Sequence, residues 1–177
     1  MNIWIRILIT FWKCLWREST KITDPIEDTY QIGPTEADLK LMNNARYLLF
    51  TEVARLEIML RTGIFKVARK EKWLPLVASQ TIRYKRPLKR FQRFKLKSKV
   101  VGWDEKWFFI EHVFSRNQKI VAFAMVKGCF RGSHGVITPE QVFSQLDPSI
   151  LKSKPTLPKH FTDWNDSETL QERSLQS

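Results

Sequence analysis

A long apolar helix followed by a run of antiparallel strands predicts an α+β fold in which a sheet wraps a helix. Leu49, Val53, Leu56 and Leu60 recur at i, i+4, i+7 and i+11, one face of a helix at about Asn43–Thr62. Four runs rich in β-branched and aromatic residues follow it, with turn signals between them. A hydrophobic content of 43% and an aromatic content of 12% in 177 residues suffice for one packed domain and exclude global disorder.

The first element is a helix over residues 2–17, within an N-terminal unit of residues 1–20. Asn2, Arg6, Thr10, Lys13 and Arg17 form one polar stripe, and Trp4, Leu8, Trp12 and Trp16 belong to the wide apolar remainder. The segment is too short, and too charged in its middle, to span a bilayer, which needs about 20 apolar residues. It has no small-residue cleavage site, so the pattern is not that of a cleaved signal peptide. Three tryptophans opposite basic residues suit peripheral contact with a membrane surface. The alternative is a helix docked on its own sheet or on a dimer partner.

Residues 24–146 make the folded domain. Asp24 to Pro34 reads as a linker with one short strand at Thr29–Ile32. Asn43 or Asn44 caps the central helix, and Gly63 ends it in a left-handed conformation. Ile64 to Leu74 reads as an irregular basic connection. The strands are Leu76–Tyr84, Arg90–Val101, Lys106–Phe114 and Lys119–Arg131. In the second, Phe94, Leu96 and Val100 point inward while Arg93, Lys95, Lys97 and Lys99 alternate outward. Thr138-Pro-Glu-Gln opens a short capped helix whose Val142, Phe143 and Leu146 pack on the sheet edge. Residues 147–177 are proline-bearing and then polar, and from Lys152 onward read as a mostly disordered tail.

The formal charge is +12, and Arg83 to Lys99 holds nine basic residues and no acidic one. Such a patch attracts polyanions, from nucleotide phosphates to anionic lipid; the same residues also serve as a solvated strand face. Cys14 and Cys129 form neither a disulfide framework nor a metal spacing, which points to a reducing, cytoplasmic compartment, and Cys129 reads as a buried thiol. His112, His134 and His160 show no metal-ligand spacing, and there is no G-x-S-x-G elbow. No metal or cofactor is expected. The chemistry lies instead at Asp38, a carboxylate just ahead of a helix N-terminus. That terminus offers N–H donors and positive partial charge to a developing oxyanion. As a purely structural residue, Asp38 would cap a turn.

Pro34, Asp38, Met42, Asn43, Asn44, Arg46, Tyr47 and Leu48, with Glu36 where the pattern has its first aspartate, together resemble the signature P-x-D-x-D-x-x-x-H-M-N-N-x-R-Y-L. That is the pattern of an acyl-CoA thioesterase-like, 4-hydroxybenzoyl-CoA thioesterase-like subgroup of the hot-dog proteins. Leu60-Arg-Thr-Gly63, Val77-Ala-Ser79, Ile82 to Leu88, Gly102 to Trp107 and Val126 to Gly132 resemble further landmarks in the expected order. One departure from the pattern matters. Three residues separate Asp38 from Met42 where the pattern has four, and the motif histidine is missing.

The resemblance implies a hot-dog fold, pairing of subunits edge to edge as a homodimer, and an active site at the subunit interface. It implies hydrolysis of an acyl-CoA, with Asp38 as base or nucleophile and Asn43 and Asn44 as carbonyl-orienting donors as well as caps. Arg46 and Tyr47 follow in the first turn, where a cation opposes the helix dipole; a carboxylate such as Asp38 or Glu36 is the expected partner of Arg46. Arg83, Lys85, Arg86, Lys89 and Arg90 would hold coenzyme A phosphates, with Lys127 and Arg131 contributing from a neighbouring strand. The missing histidine and the N-terminal helix support a second reading, an inactive member that binds acyl-CoA or acyl chains at a membrane surface. A third is a polyanion or nucleic-acid binder, since Trp103, Trp107 and Phe108 could stack bases. No RNP-like or OB-like pattern accompanies them, so nucleic acid is not the expected partner.

Overall fold

The structure is a computed structural model that describes residues 3–176. In chain order the elements are α1 (Ile3–Leu15), β1 (Ile26–Gln31), a 3-10 turn at Pro34–Glu36, β2 (Ala37–Asp38), β3 (Leu41–Met42) and α2 (Asn44–Arg61). Then come α3 (Ile64–Lys70), β4 (Leu74–Tyr84), β5 (Arg93–Trp103), β6 (Phe108–Arg116), β7 (Lys119–Gly132), β8 (Gly135–Ile137), α4 (Pro139–Leu146), a 3-10 segment at Pro148–Ser153 and α5 (Lys159–Gln176). The main sheet is antiparallel in the order β1-β5-β6-β7-β4, with β8 added to β7, while β2 and β3 form a separate small hairpin. This is the hot-dog arrangement, a sheet curled around the central helix α2.

Short-range chemistry accounts for where the elements stop. The Asn43 side chain accepts from the Ala45 N–H and starts α2, and Gly63, at φ +81°, ends it. The Thr138 hydroxyl and the Gln141 side chain form a reciprocal capping box at α4. Asp104 accepts from the N–H groups of Lys106 and Trp107 and turns the chain from β5 to β6. In β5, Phe94, Leu96 and Val100 are buried as expected and Lys95 and Lys97 face solvent.

The core has two main parts. Tyr30, Tyr47, Phe50, Phe94 and Phe114 stack at tilted and edge-on angles beneath the first half of α2. Ile58, Ile64, Val100, Phe108, Phe130 and Phe143 pack beneath its second half. The buried face of α2 is therefore Tyr47, Phe50, Val53, Ala54 and Ile58, and of the expected stripe Val53 alone lies on it. Leu49, Leu56 and Leu60 are half-buried beside it, because the sheet takes the aromatic residues while α1 covers another side of the helix.

Two connections differ from expectation. Ile64–Lys70 is a helix rather than an irregular link, because Ile64 and Ala68, one turn apart, are buried against the second core. Lys159–Gln176, expected as part of a disordered tail, is the 18-residue helix α5. Its Phe161 is fully buried and meets Phe109 edge-on, with Trp107 and Trp164 around it, so two aromatics suffice to dock an otherwise polar segment on the outer face of the sheet. Asn2 of the expected polar stripe and Ser177 lie outside the described residues.

Candidate active site

The segment from Gly33 to Tyr47 folds as one unit. After the turn at Pro34–Glu36, β2 and β3 form a tight hairpin in which Leu39 takes a left-handed φ of +54°. Asp38 stands exposed at the end of β2. The Asn43 amide uses both its ends here: its Nδ2 donates to Asp38 Oδ2 and its Oδ1 accepts from the Ala45 N–H at 2.8 Å. One side chain thus ties the carboxylate to the first turn of α2. Asn44, the first helical residue, carries one of the N–H groups for which a helix has no acceptor of its own.

Around this point the structure gathers part of the expected basic set. The loop after β4 lies against the hairpin: the Met42 N–H donates to the Leu88 carbonyl at 2.8 Å, and the Arg90 N–H to the Lys40 carbonyl at 3.0 Å. Lys89 and Arg90 therefore flank Asp38's hairpin, and Arg90 also donates to the Pro34 carbonyl at 3.3 Å. The Arg86 guanidinium donates instead to the Ile120 carbonyl, while Arg83 and Lys85 are exposed near the end of β4. Tyr47 is buried edge-on to Tyr84, whose hydroxyl donates to the Asn44 carbonyl at 3.1 Å. Tyr47 is part of the core that seats the helix, and burial raises its phenol above the ordinary value.

Two expected pairings are not formed. Glu36 is the buried carboxylate of the motif, but its cation is Arg6 from α1, with Arg6 Nε donating at 2.9 Å, and not Arg46. Asp38 has Asn43 as its partner. The reason is packing: α1 places a guanidinium over Glu36 from thirty residues away. Likewise Lys127 is held on the outer face of the sheet, 2.7 Å from Glu168 of α5, and is not free for phosphate.

The second half of α2 carries charges that periodicity did not flag. Glu57 is buried and takes the Arg17 guanidinium, which also bonds Asp28 at 2.6 Å. Burial, with Asp28 nearby, raises the Glu57 carboxyl above its ordinary value. Arg55 pairs with Glu52 and donates to Thr51 Oγ1 at 3.1 Å, and burial lowers its pKa. Facing the helix from the sheet, His112 is fully buried with Nδ1 2.7 Å from Ser98 Oγ. Burial and then the charge of Arg55 hold His112 well below the usual imidazole value, so it is neutral. Burial likewise raises the Cys129 thiol. The signal available in sequence was the interruption of an apolar helix by Glu52, Arg55 and Glu57.

An apolar cavity of about 310 Å³ opens beside these residues, lined by Ile7, Leu56, Met59, Phe65, Leu76 and Val126 among others, with Arg55 in its wall. Arg55 lies twelve residues from Asn43, ~18 Å along the helix axis, and neither Asp38 nor Asn43 lines the cavity. Among the described residues no cluster of His, Cys, Asp and Glu could hold a metal ion, and no helix is long and apolar enough to cross a membrane.

With this geometry in view, comparisons place the chain. Residues 32–164 match the family model of the thioesterase-like superfamily. Protein THEM6 of Danio rerio is 39% identical over 95 residues, 52% of this chain and 47% of that protein. Protein THEM6 of Xenopus laevis is 28% identical over 138 residues, 75% of this chain and 64% of that protein. The match thus spans from about half to just under two thirds of these curated relatives. Among solved structures, the probable thioesterase YbaW of Escherichia coli superposes with a TM-score of 0.62 at 19% identity, covering 68% of this chain and 98% of that one. The hypothetical protein SAV2348 of Staphylococcus aureus, solved with CoA, gives 0.63 at 14% identity, covering 81% and 96%. A 4-hydroxybenzoyl-CoA thioesterase mutant complexed with 4-hydroxybenzoyl-CoA gives 0.61 at 13% identity, covering 70% and 99%.

Proposed function

The chain belongs to the thioesterase-like superfamily, and on that premise we propose that it hydrolyses the thioester of an acyl-CoA at Asp38. The observation that carries this reading is the Asn43 side chain, which holds the Asp38 carboxylate and caps α2 at once. A carbonyl lying between them meets a base or nucleophile on one side and unpaired helix N–H groups, Asn44 first, on the other. Asp38 either removes a proton from a water that adds to the carbonyl carbon, or attacks that carbon itself to form an acyl-aspartyl anhydride that a water then cleaves. The carbonyl oxygen takes up negative charge, the C–S bond breaks, and the thiolate leaves and is protonated by solvent. Asn43 acts here as a positioning residue, and Asn44 as the oxyanion donor through its backbone.

Lys89 and Arg90, beside the hairpin, are best placed to meet coenzyme A phosphates, with Arg46 in the first turn of α2 and Arg83, Lys85 and Arg86 at and just after the end of β4. The working unit is a homodimer. Within the described chain β4 is hydrogen-bonded only to β7, and Leu74, Leu76 and Val77 are exposed along it, a strand edge that calls for cover. The apolar cavity suits an acyl chain. Residues 2–17 make the peripheral membrane contact of a cytoplasmic protein.

One observation favours a second reading: the motif histidine has no counterpart, which suits a member that binds acyl-CoA without cleaving it. Thiol release from acyl-CoAs of rising chain length, wild type beside Asp38→Asn, separates the two. Hydrolysis lost in the variant supports the enzyme. An inactive wild type that still binds acyl-CoA saturably supports the binding member.

A further inference from the structure

We infer that α1 and α3 together form a docking face for an anionic lipid bilayer. α1 is amphipathic, but it packs with its polar side inward. Arg6 is 8% exposed, and besides Glu36 it reaches the Gln31 carbonyl at 3.3 Å. Thr10 is buried one turn on, Lys13 lies 3.8 Å from Asp28, and Arg17 bonds Asp28 and Glu57. The outward side carries Leu8 and Trp12, each 68% exposed, with Leu15 and Trp16 more exposed still. A helix that met only water would gain by turning these residues inward, since burial of large apolar side chains is favourable. The observed orientation suits a helix whose outer side meets an apolar phase.

The neighbour of α1 identifies that phase. Phe11 of α1 meets Phe65 of α3 edge-on at 5.3 Å, so the two helices share one side of the molecule. The exposed positions on and just after α3 are Lys66, Arg69, Lys70 and Lys72, of which Lys70 lies 3.4 Å from Glu71. Apolar residues and tryptophans beside a row of cations match acyl chains beneath phosphate headgroups. A second copy of the chain, itself at +12, is a poor occupant for such a row.

The same helix is also tied to the segment that carries Asp38. Arg6 grips the Glu36 carboxylate, Glu36 lies two residues before Asp38, and its carbonyl accepts from the Asn43 N–H at 3.0 Å. Ile7 sits at the rim of the apolar cavity. Resting on the thioesterase reading, the substrate class this attachment fits is an acyl-CoA with a chain long enough to partition into the bilayer.

The test is sedimentation of the full chain with vesicles of phosphatidylcholine alone and of phosphatidylcholine with phosphatidylserine. Binding should favour the anionic vesicles by at least about tenfold and fall as salt is raised. The double variant Trp12→Ser, Trp16→Ser should lose binding to both while keeping its urea midpoint. The triple variant Lys66→Gln, Arg69→Gln, Lys72→Gln should lose on the order of 100-fold on anionic vesicles, from about fivefold per cation. A wild type that stays in the supernatant with both vesicle types overturns the membrane contact itself. Binding that survives the triple variant, or ignores salt, overturns the two-helix anionic face and leaves the contact through α1 standing. A larger oligomer that only the tryptophan variant dissociates would show that a second copy covers α1 and would overturn the inference. Asp38→Asn should bind vesicles as wild type does, so failure of the thioesterase reading is scored separately.

Discussion

The two terminal helices dock on the domain with opposite polarity. α1 presses charges inward and leaves tryptophans and leucines outside. α5 presses Phe161 and Trp164 inward, bonds Asn165 and Glu168 to the buried Lys127, and leaves a largely polar side to solvent. The difference follows from what each helix finds beneath it. Under α1 lie the buried carboxylates Asp28, Glu36 and Glu57, which require cations, because an unpaired charge away from water costs several kcal/mol. Under α5 lies the outer face of the sheet, with Phe109 and Trp107 to cover and Lys127 to neutralise. A helix's own moment thus says that it has two sides, and its neighbours decide which side faces in.

Perturbing one helix at a time sharpens this contrast. The largest loss should come from Arg17→Ala, which leaves Glu57 and Asp28 without their main cation and should lower unfolding stability by about 4 kcal/mol in a urea titration. Adding Glu57→Gln should recover part of it, since the buried charge is then gone. An undiminished midpoint for Arg17→Ala would mean that α1 is not held by its charges. Phe161→Ala should cost about 3 kcal/mol, read as fast hydrogen exchange along α5 while α2 stays protected. Equal loss of protection in both helices would show that α5 is part of the core and not a cover.

A smaller effect concerns the domain beneath both helices. His112 is depressed below the ordinary imidazole value of 6.5, so the neutral ring contributes stability that is complete above that pH. The contribution is lost as pH falls from there toward the folded-state value, because the unfolded chain binds the proton first. Wild type should weaken by about 1.4 kcal/mol per pH unit over that window, and His112→Gln should lose this part of the slope, as measured by urea midpoints between neutral and mildly acidic pH. The smallest effect is expected at Trp12→Ser, under about 0.5 kcal/mol because the side chain already lies outside. A large destabilisation there would mean that α1 packs by its apolar side in solution.

Much of the fold can be read residue by residue. The Asn43 cap, the left-handed Gly63, the capping box of Thr138 and Gln141 and the alternation of Phe94, Lys95, Leu96 and Lys97 are all local patterns, and each appears where it was expected. The same holds for the proximity of Asp38 to Asn43, five residues apart. The burial of Tyr47 and Phe50 in place of Leu49 and Leu56 was not legible, because both sets have helical spacing and only the sheet chooses between them. Nor was α5, whose docking rests on two aromatics in a polar stretch.

Residue pattern alone sets the caps of α2 and α4, the alternation within β5, and the carboxylate that stands ahead of the central helix. Caps, glycine conformations and two-residue alternation act over a few residues and need no distant partner. Packing in three dimensions set Arg6 on Glu36, made Arg17 bridge Asp28 and Glu57, and kept the tryptophans of the N-terminal segment outside. Those outcomes depend on desolvated charges meeting across eleven to forty residues of chain, and a balance of desolvation against pairing exists only once the fold has brought the partners together.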